Sequence, residues 1–296
     1  MLAALRIFSL AMLIVTSIAS SGSTAADLEV DNVRGNDFME LIPGDPRRPP
    51  YRSIQRAVDD ALTGDTIRIL KTDRPYRECV SINSRHDLGT PEFPLIIEGN
   101  GVIVDGSQPL GVLDWDALGS DLFELKVRSP GFVRLLAAAD QPTPENLGHL
   151  RDLSTLQPFQ YARNTGNVYF RTRPGDVPQA YGISVSKEQT GLTLYDVSDI
   201  VIRNLTVTGY RLDGVNCHDL VTNVKLENVV ATNNGRSGVS IGGSSRVAIQ
   251  GGSLSGNGQA QLRAEGQSIA EAIGIRIDAG KSTAIDQAGG RVIVSR

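Results

Sequence analysis

The stretch over residues 209–218 reads GYRLDGVNCH and gathers Arg211, Asp213, Asn216 and His218 around one turn glycine. Histidine titrates near neutral pH, so His218 is a candidate general base. Arginine can hold a carboxylate whose α-proton is leaving, a role open to Arg211 and to Arg236 on the following turn. Plainer roles exist for the same residues. Asp and Asn side chains cap turn backbone, and an arginine on a turn is often only a solvated charge. What decides between them is whether neighbouring segments stack on this one.

The chain repeats in a way that would stack them. Residues 191–213 read GLTLYDVSDIVIRNLTVTGYRLD and residues 214–237 read GVNCHDLVTNVKLENVVATNNGRS. A third unit opens GVSIGGSSRVAIQGGSLSGNG at Gly238 and a fourth opens GIRIDAGKSTAIDQAGG at Gly274. The first three units span 23, 24 and 36 residues, the last lengthened by an insertion near QAQLRAEGQSIA. Self-similarity at this period marks a solenoid. Three short alternating strands per coil fit an all-β, right-handed parallel β-helix. A leucine-rich repeat is disfavoured, because no helix-period segment separates the strands and the L-x-x-L-x-L frame is missing.

Alignment of the units yields columns. Leu192, Val215, Val239 and Ile275 point inward, and Thr193, Asn216, Ser240 and Arg276 point outward beside them. The next outward column is Tyr195, His218, Gly242 and Asp278, and the preceding turn adds Glu188, Arg211, Asp213 and Arg236. This strip assigns His218, Arg236 and Arg211 to catalysis. It assigns Asn216, Ser240, Arg276 and Tyr195 to substrate. Glu188, Asp213 and Asp278 could supply oxygen ligands to calcium. Tyr195 and Tyr210 are the aromatic surfaces within reach. On a second turn Asn204 and Asn228 form an asparagine ladder that Gly251 breaks.

The first coil of a solenoid needs a lid. Ser53 can N-cap a helix in which Ile54, Ala57, Val58, Ala61 and Leu62 recur at helical spacing, ending at Gly64-Asp65. Residues 107–180 fit the repeat poorly and read as an excursion with its own strands. The N-terminus carries Arg6, an apolar run over 7–18 and small residues to Ala26, the layout of a cleaved secretory leader over residues 1–26. The rest, 27–296, is expected to form one exported domain, secreted, periplasmic or at the cell surface.

The phrases PYRSIQRAVDDALTGDTIRI, PYRECVSI and GTPEFPLIIEGNGVIVDGS resemble the start of secreted pectate-lyase-like β-helix proteins. Most similar are polysaccharide lyases acting on alginate and chondroitin-type chains. The resemblance covers most of residues 50–106 and, more weakly, 160–294. Its motifs build the scaffold and so speak to fold more than to reaction. It implies a substrate cleft on the first strand of each coil and the turn before it. Related lyases often use a lysine or arginine base with calcium, but Lys225 lies on the second strand and faces another way. RLDGVNC also resembles the N-T-D-G-I-D of polygalacturonases, with Asp213 at the matching aspartate. The sequence GRSG over 235–238 stands where that family has G-D-D, which argues against pectin hydrolysis.

Composition narrows the partners. The net charge of −4, without a long block of one sign, disfavours nucleic acid, and no second apolar span suggests a membrane once the leader is removed. Cys79 and Cys217 are expected to lie four or more coils apart, as two buried free thiols. The expectation is a monomer acting on an acidic polysaccharide, by β-elimination and with calcium. The alternative is a non-catalytic glycan-binding or structural surface protein, or a truncated relative of the enzymes.

Overall fold

Short β-branched and aliphatic runs punctuated by Gly, Asn and Asp give parallel strands joined by tight turns. In the computed structural model, which describes residues 25–38, 49–83, 88–127 and 132–296, these strands wind into a right-handed parallel β-helix. The leader expected over residues 1–26 lies, apart from its last two residues, outside the described set. Among the described residues no helix is long and apolar enough to cross a membrane.

Two parallel sheets carry the coil. The six-stranded sheet runs Val80–Asn83, Leu192–Tyr195, Val215–His218, Ser237–Ile241, Ala260–Glu265 and Thr283–Ala288 in spatial order. The eleven-stranded sheet stacks Asp27–Val30, Thr66–Ile69, Leu95–Asp105, Ser198–Thr208, Thr222–Glu227, Arg246–Gln250, Ile269–Ile273 and Arg291–Ser295. A branch of it stacks Val230–Thr232, Ser253–Ser255 and Arg276–Asp278. Inward side chains form one apolar column per strand position, as in Leu194, Cys217, Ile241 and Ala264, all essentially inaccessible.

The register corrects the repeat. Leu192, Val215, Val239, Leu262 and Ile285 are successive partners, so each coil takes 23 or 24 residues and the long third unit is one coil and the first part of the next. The strand Ala260–Glu265, read from sequence as an insertion, is the first strand of the fourth coil. Arg276 and Asp278 therefore leave the strip. They pair with Ser253 and Ser255, on the third strand of the coil. The mistake has a physical source. Gln261 fills the position where the other coils open with Gly191, Gly214 and Gly238, and Ile275 and Ile277 alternate like a first strand.

Left-handed turn residues align in columns. Asn204, Asn228, Gly251 and Gly274 stack with φ of 58°, 52°, 65° and 58°, a conformation that Gly adopts freely and Asn and Asp more readily than other residues. Asn228 Nδ2 donates to Asn204 Oδ1 at 3.3 Å, and Asn204 Nδ2 donates to Glu98 Oε1 at 3.0 Å. A second, fully buried ladder runs Asn234, Asn257, Gln261, with Asn234 Nδ2 donating to Asn257 Oδ1 at 3.0 Å and Asn257 Nδ2 to Gln261 Oε1 at 2.7 Å. A Cβ on Gly214 or Gly238 would lie 2.8 or 2.7 Å from a ladder amide, which explains the glycines there.

The lid is the helix Ile54–Asp60, which buries Ile54, Ala57 and Val58 in the main core. Ser53 Oγ accepts from Arg56 N at 3.2 Å, and Glu78 accepts from the Ile54 and Gln55 amides. The helix ends before Ala61 and Leu62, because Asp65 captures the Leu62 amide at 2.9 Å.

The coil continues straight across the excursion. Val80–Asn83 pairs directly with Leu192–Tyr195, and Leu95–Asp105 with Ser198–Thr208. Between Asp105 and Ser186 the chain builds a five-stranded sheet around Trp115, Phe123, Phe170 and Tyr181, a second apolar cluster. The strand Trp115–Ala117 pairs antiparallel with Leu122–Leu125. Both cysteines are free, but only Cys217 is buried; Cys79 is exposed. They stand two rungs apart, not four, since one strand separates Val80–Asn83 from Val215–His218.

Candidate functional site

The outward columns of the six-stranded sheet are set by its register. One runs Ser81, Thr193, Asn216, Ser240, Arg263 and Asp286; the next runs Asn83, Tyr195, His218, Gly242, Glu265 and Ala288. Adjacent members lie about 4.8 Å apart. The expected neighbours Asn216, Ser240, Tyr195 and His218 are thus brought together. Ser240 is only 3 % exposed and presents little to a ligand.

Tyr195 and His218 pack edge-to-face, with ring centroids 4.8 Å apart and planes at 66°. Tyr195 stands 40 % exposed. His218 Nδ1 lies 3.4 Å from Asp219 Oδ1. Hydrogen bonding between the Tyr195 hydroxyl and Asp219 holds the Asp219 carboxyl below its ordinary range and pushes the Tyr195 phenol up. Asp196 and Asp219 take left-handed turns at φ of 53° and 67°, and Gly243 and Gly266 continue that column. This turn carries the strand past Asp219 and leaves its carboxylate beside both rings. Above His218, Gly242 adds no side chain and is itself buried, and a Cβ there would meet nothing nearer than His218 Cβ at 3.8 Å.

The turn before the strand is ion-paired. Arg236 Nε and Nη2 donate to Asp213 at 3.0 and 2.5 Å, and Ser237 N donates to the same carboxylate at 3.2 Å. Asp213 is wholly buried, and its carboxylate raises the Arg236 guanidinium pKa. Arg263 is held by Glu265, and its Nη1 lies 3.1 Å from Asp286 Oδ2. Arg211 faces elsewhere. It lines a cavity of about 520 Å³ against the excursion, with Lys126, Lys187 and Val133 among its neighbours. Tyr210 is inaccessible, and its hydroxyl donates to Glu78 O at 2.6 Å, so it is no stacking surface.

The residues expected to hold calcium do not fit a calcium site. Asp213 is buried against Arg236, Asp278 lies on another sheet, and Glu188 Oε2 accepts from Cys79 Sγ at 3.6 Å. Among the described residues no group of three or more His, Cys, Asp or Glu could hold a metal ion. Asp219 and Asp286 are the strip residues that sequence reasoning missed, while Arg263 and Glu265, expected on an insertion walling one side of the strip, stand within its columns. The displaced register hid Asp286 and set Arg263 and Glu265 beside the strip instead of in it. Asp219 was hidden because an Asp after a strand reads as an ordinary turn.

A family model described as a right-handed β-helix region matches residues 175–294. No curated protein matches the chain. Among solved structures, one titled "Glycoside hydrolase" aligns over 85 % of this chain and 76 % of its own, at 12 % identity and a TM-score of 0.52. Another, titled "The complex structure of XylC with xylose", aligns over 91 % of this chain at 11 % identity and a TM-score of 0.48. This chain spans 64 % of the length of that protein. At such identities the likeness is one of fold.

Proposed function

We propose that this chain is a carbohydrate-recognising β-helix protein that lays a glycan along the outward face of the six-stranded sheet, parallel to the helix axis. The observation that carries this reading is the exposed Tyr195 ring against His218, with Asp219 beside both and no side chain on the next rung at Gly242. An aromatic face takes the apolar face of a sugar ring. Asp219, Asn216 and Thr193 supply hydrogen bonds to hydroxyls at the rung spacing. A glycoside hydrolase with the same scaffold makes sugars the natural ligand class to test. The leader expected over residues 1–26 would send the chain to where polysaccharides lie.

Charge favours a neutral glycan over an acidic one. Asp196, Asp219, Glu265 and Asp286 border the strip, while Arg236 and Arg263 are engaged by carboxylates of the protein itself. The second reading is β-elimination on an acidic polysaccharide, favoured by a histidine and a tyrosine in contact. It places His218 as base and Tyr195 as proton donor to the leaving oxygen. It also requires Arg236 or Arg263 to leave its partner for the substrate carboxylate. Incubation with neutral and uronate polymers separates the readings. Binding of a neutral glycan without cleavage supports recognition. An ultraviolet-absorbing unsaturated product from a uronate polymer supports elimination, and new reducing ends without that absorbance point to hydrolysis.

A further inference from the structure

The outward face of the eleven-stranded sheet carries a second site, and we infer that it takes one carboxylated sugar ring, a uronate. This site is independent of the strip described above. Its outward columns are Asn223, Arg246, Ile269 on one line and Val201, Lys225, Ala248, Glu271 on the next. Ala248 is the small member between two long side chains. The result is a depression of about 300 Å³ lined by Lys225, Arg246, Ala248, Gln250, Ile269 and Glu271. That volume is at the lower end of small-ligand pockets, roughly 300–1,000 Å³.

The charges here are arranged unlike those on the strip. Lys225 and Arg246 are exposed, and among the described residues neither has an ion-pair partner within 4.0 Å. Lys225 stands on the outer rung and Arg246 on the middle one, diagonal neighbours across adjacent strands, within reach of one carboxylate for two long side chains. Glu271 stands two rungs above Lys225, roughly 10 Å away at the strand spacing, and one rung above Arg246, diagonal to it. A carboxylate is therefore directed to the Lys225 end, and hydroxyls are directed to Glu271 and Gln250. The Ala248 methyl and Ile269 supply an apolar floor and wall for the C–H face of a ring. A bare anion would use only the cationic end, and a neutral sugar only the other.

The test is a titration of the ¹⁵N-labelled full chain with D-glucuronate, D-glucose and inorganic phosphate, following the Ala248 and Lys225 amide signals. Glucuronate is expected to saturate these signals at concentrations at least tenfold below glucose and phosphate. The double variant K225Q/R246Q should raise the glucuronate midpoint at least tenfold, and A248L, which fills the depression, should abolish the response. The charge control K71Q, at an exposed lysine just past the strand Thr66–Ile69, should leave it unchanged, and circular dichroism melts establish that each variant is folded. A uronate tetramer binding more tightly than the monosaccharide identifies a polymer as the source of the ring, and equal binding a free sugar acid; either upholds the site. Equal response to glucose or phosphate, or a folded A248L that still responds, overturns it.

Discussion

Asp213 looks, in sequence, like the acid of a reaction centre, and in the folded chain it is a buried brace. Its carboxylate is inaccessible and takes both nitrogens of Arg236 and one backbone amide. Removing one partner of a buried ion pair typically costs about 3–5 kcal/mol, because the other charge stays buried alone. Arg236→Met should therefore lower unfolding free energy by about that amount in urea denaturation, with little change in the slope. The proposed sugar contact lies on the same coil and the one before it, at His218, Asp219 and Tyr195. Asp219 raises the Tyr195 phenol, so Asp219→Asn should bring one tyrosine titration back toward its ordinary value. A spectrophotometric difference titration of the variant against wild type reads this shift; an unchanged curve would mean the hydroxyl bonds elsewhere.

At the scale of the element, turns do the work of alignment. Asn228 sits at φ 52° and donates to Asn204, so Asn228→Ala loses a ladder bond and strains the backbone. Left-handed strain of about 1–2 kcal/mol per residue applies to alanine and not to glycine. Asn228→Gly should accordingly be clearly milder than Asn228→Ala in the same melts. Gln261→Ala strips the buried Asn257 of an acceptor and should cost about 1–3 kcal/mol. These ladders also explain what was legible beforehand. The Asn204–Asn228–Gly251 column, the Ser53 cap and the inward Leu192, Val215 and Val239 were readable, since alternation and turn chemistry are local signals. The fourth coil was not. Its opening glycine is replaced by Gln261, whose amide takes the place of the buried ladder, and the substitution has meaning only in three dimensions. Arg276 and Asp278 entered the strip, Asp286 was lost from it and Arg263 was set at its side, through that single displaced rung.

For the molecule as a whole, the coil is continuous although its sequence is interrupted. Glu98 joins the two sides: Arg203 Nε donates to it at 2.7 Å and Asn204 Nδ2 at 3.0 Å across more than a hundred residues of chain. Burial pushes the Glu98 carboxyl up, but the Asn100 amide, Asn204 and Arg203 outweigh it and hold the pKa below its ordinary value of 4.5. A depressed folded pKa means stability that is present above the unfolded value and is lost as pH falls through the folded one. Glu98→Gln should lower stability at neutral pH and flatten the acid limb below about pH 4.5. A pH series of thermal melts checks this, and an acid limb as steep as wild type would contradict it. The same stacking turns single polar groups into a strip long enough for a polymer. Isothermal titration of a neutral oligosaccharide panel against wild type and Tyr195→Ala tests that strip most directly. At least one neutral glycan should bind wild type and lose tenfold or more in affinity with Tyr195→Ala, whereas affinity unchanged in that variant would contradict the account.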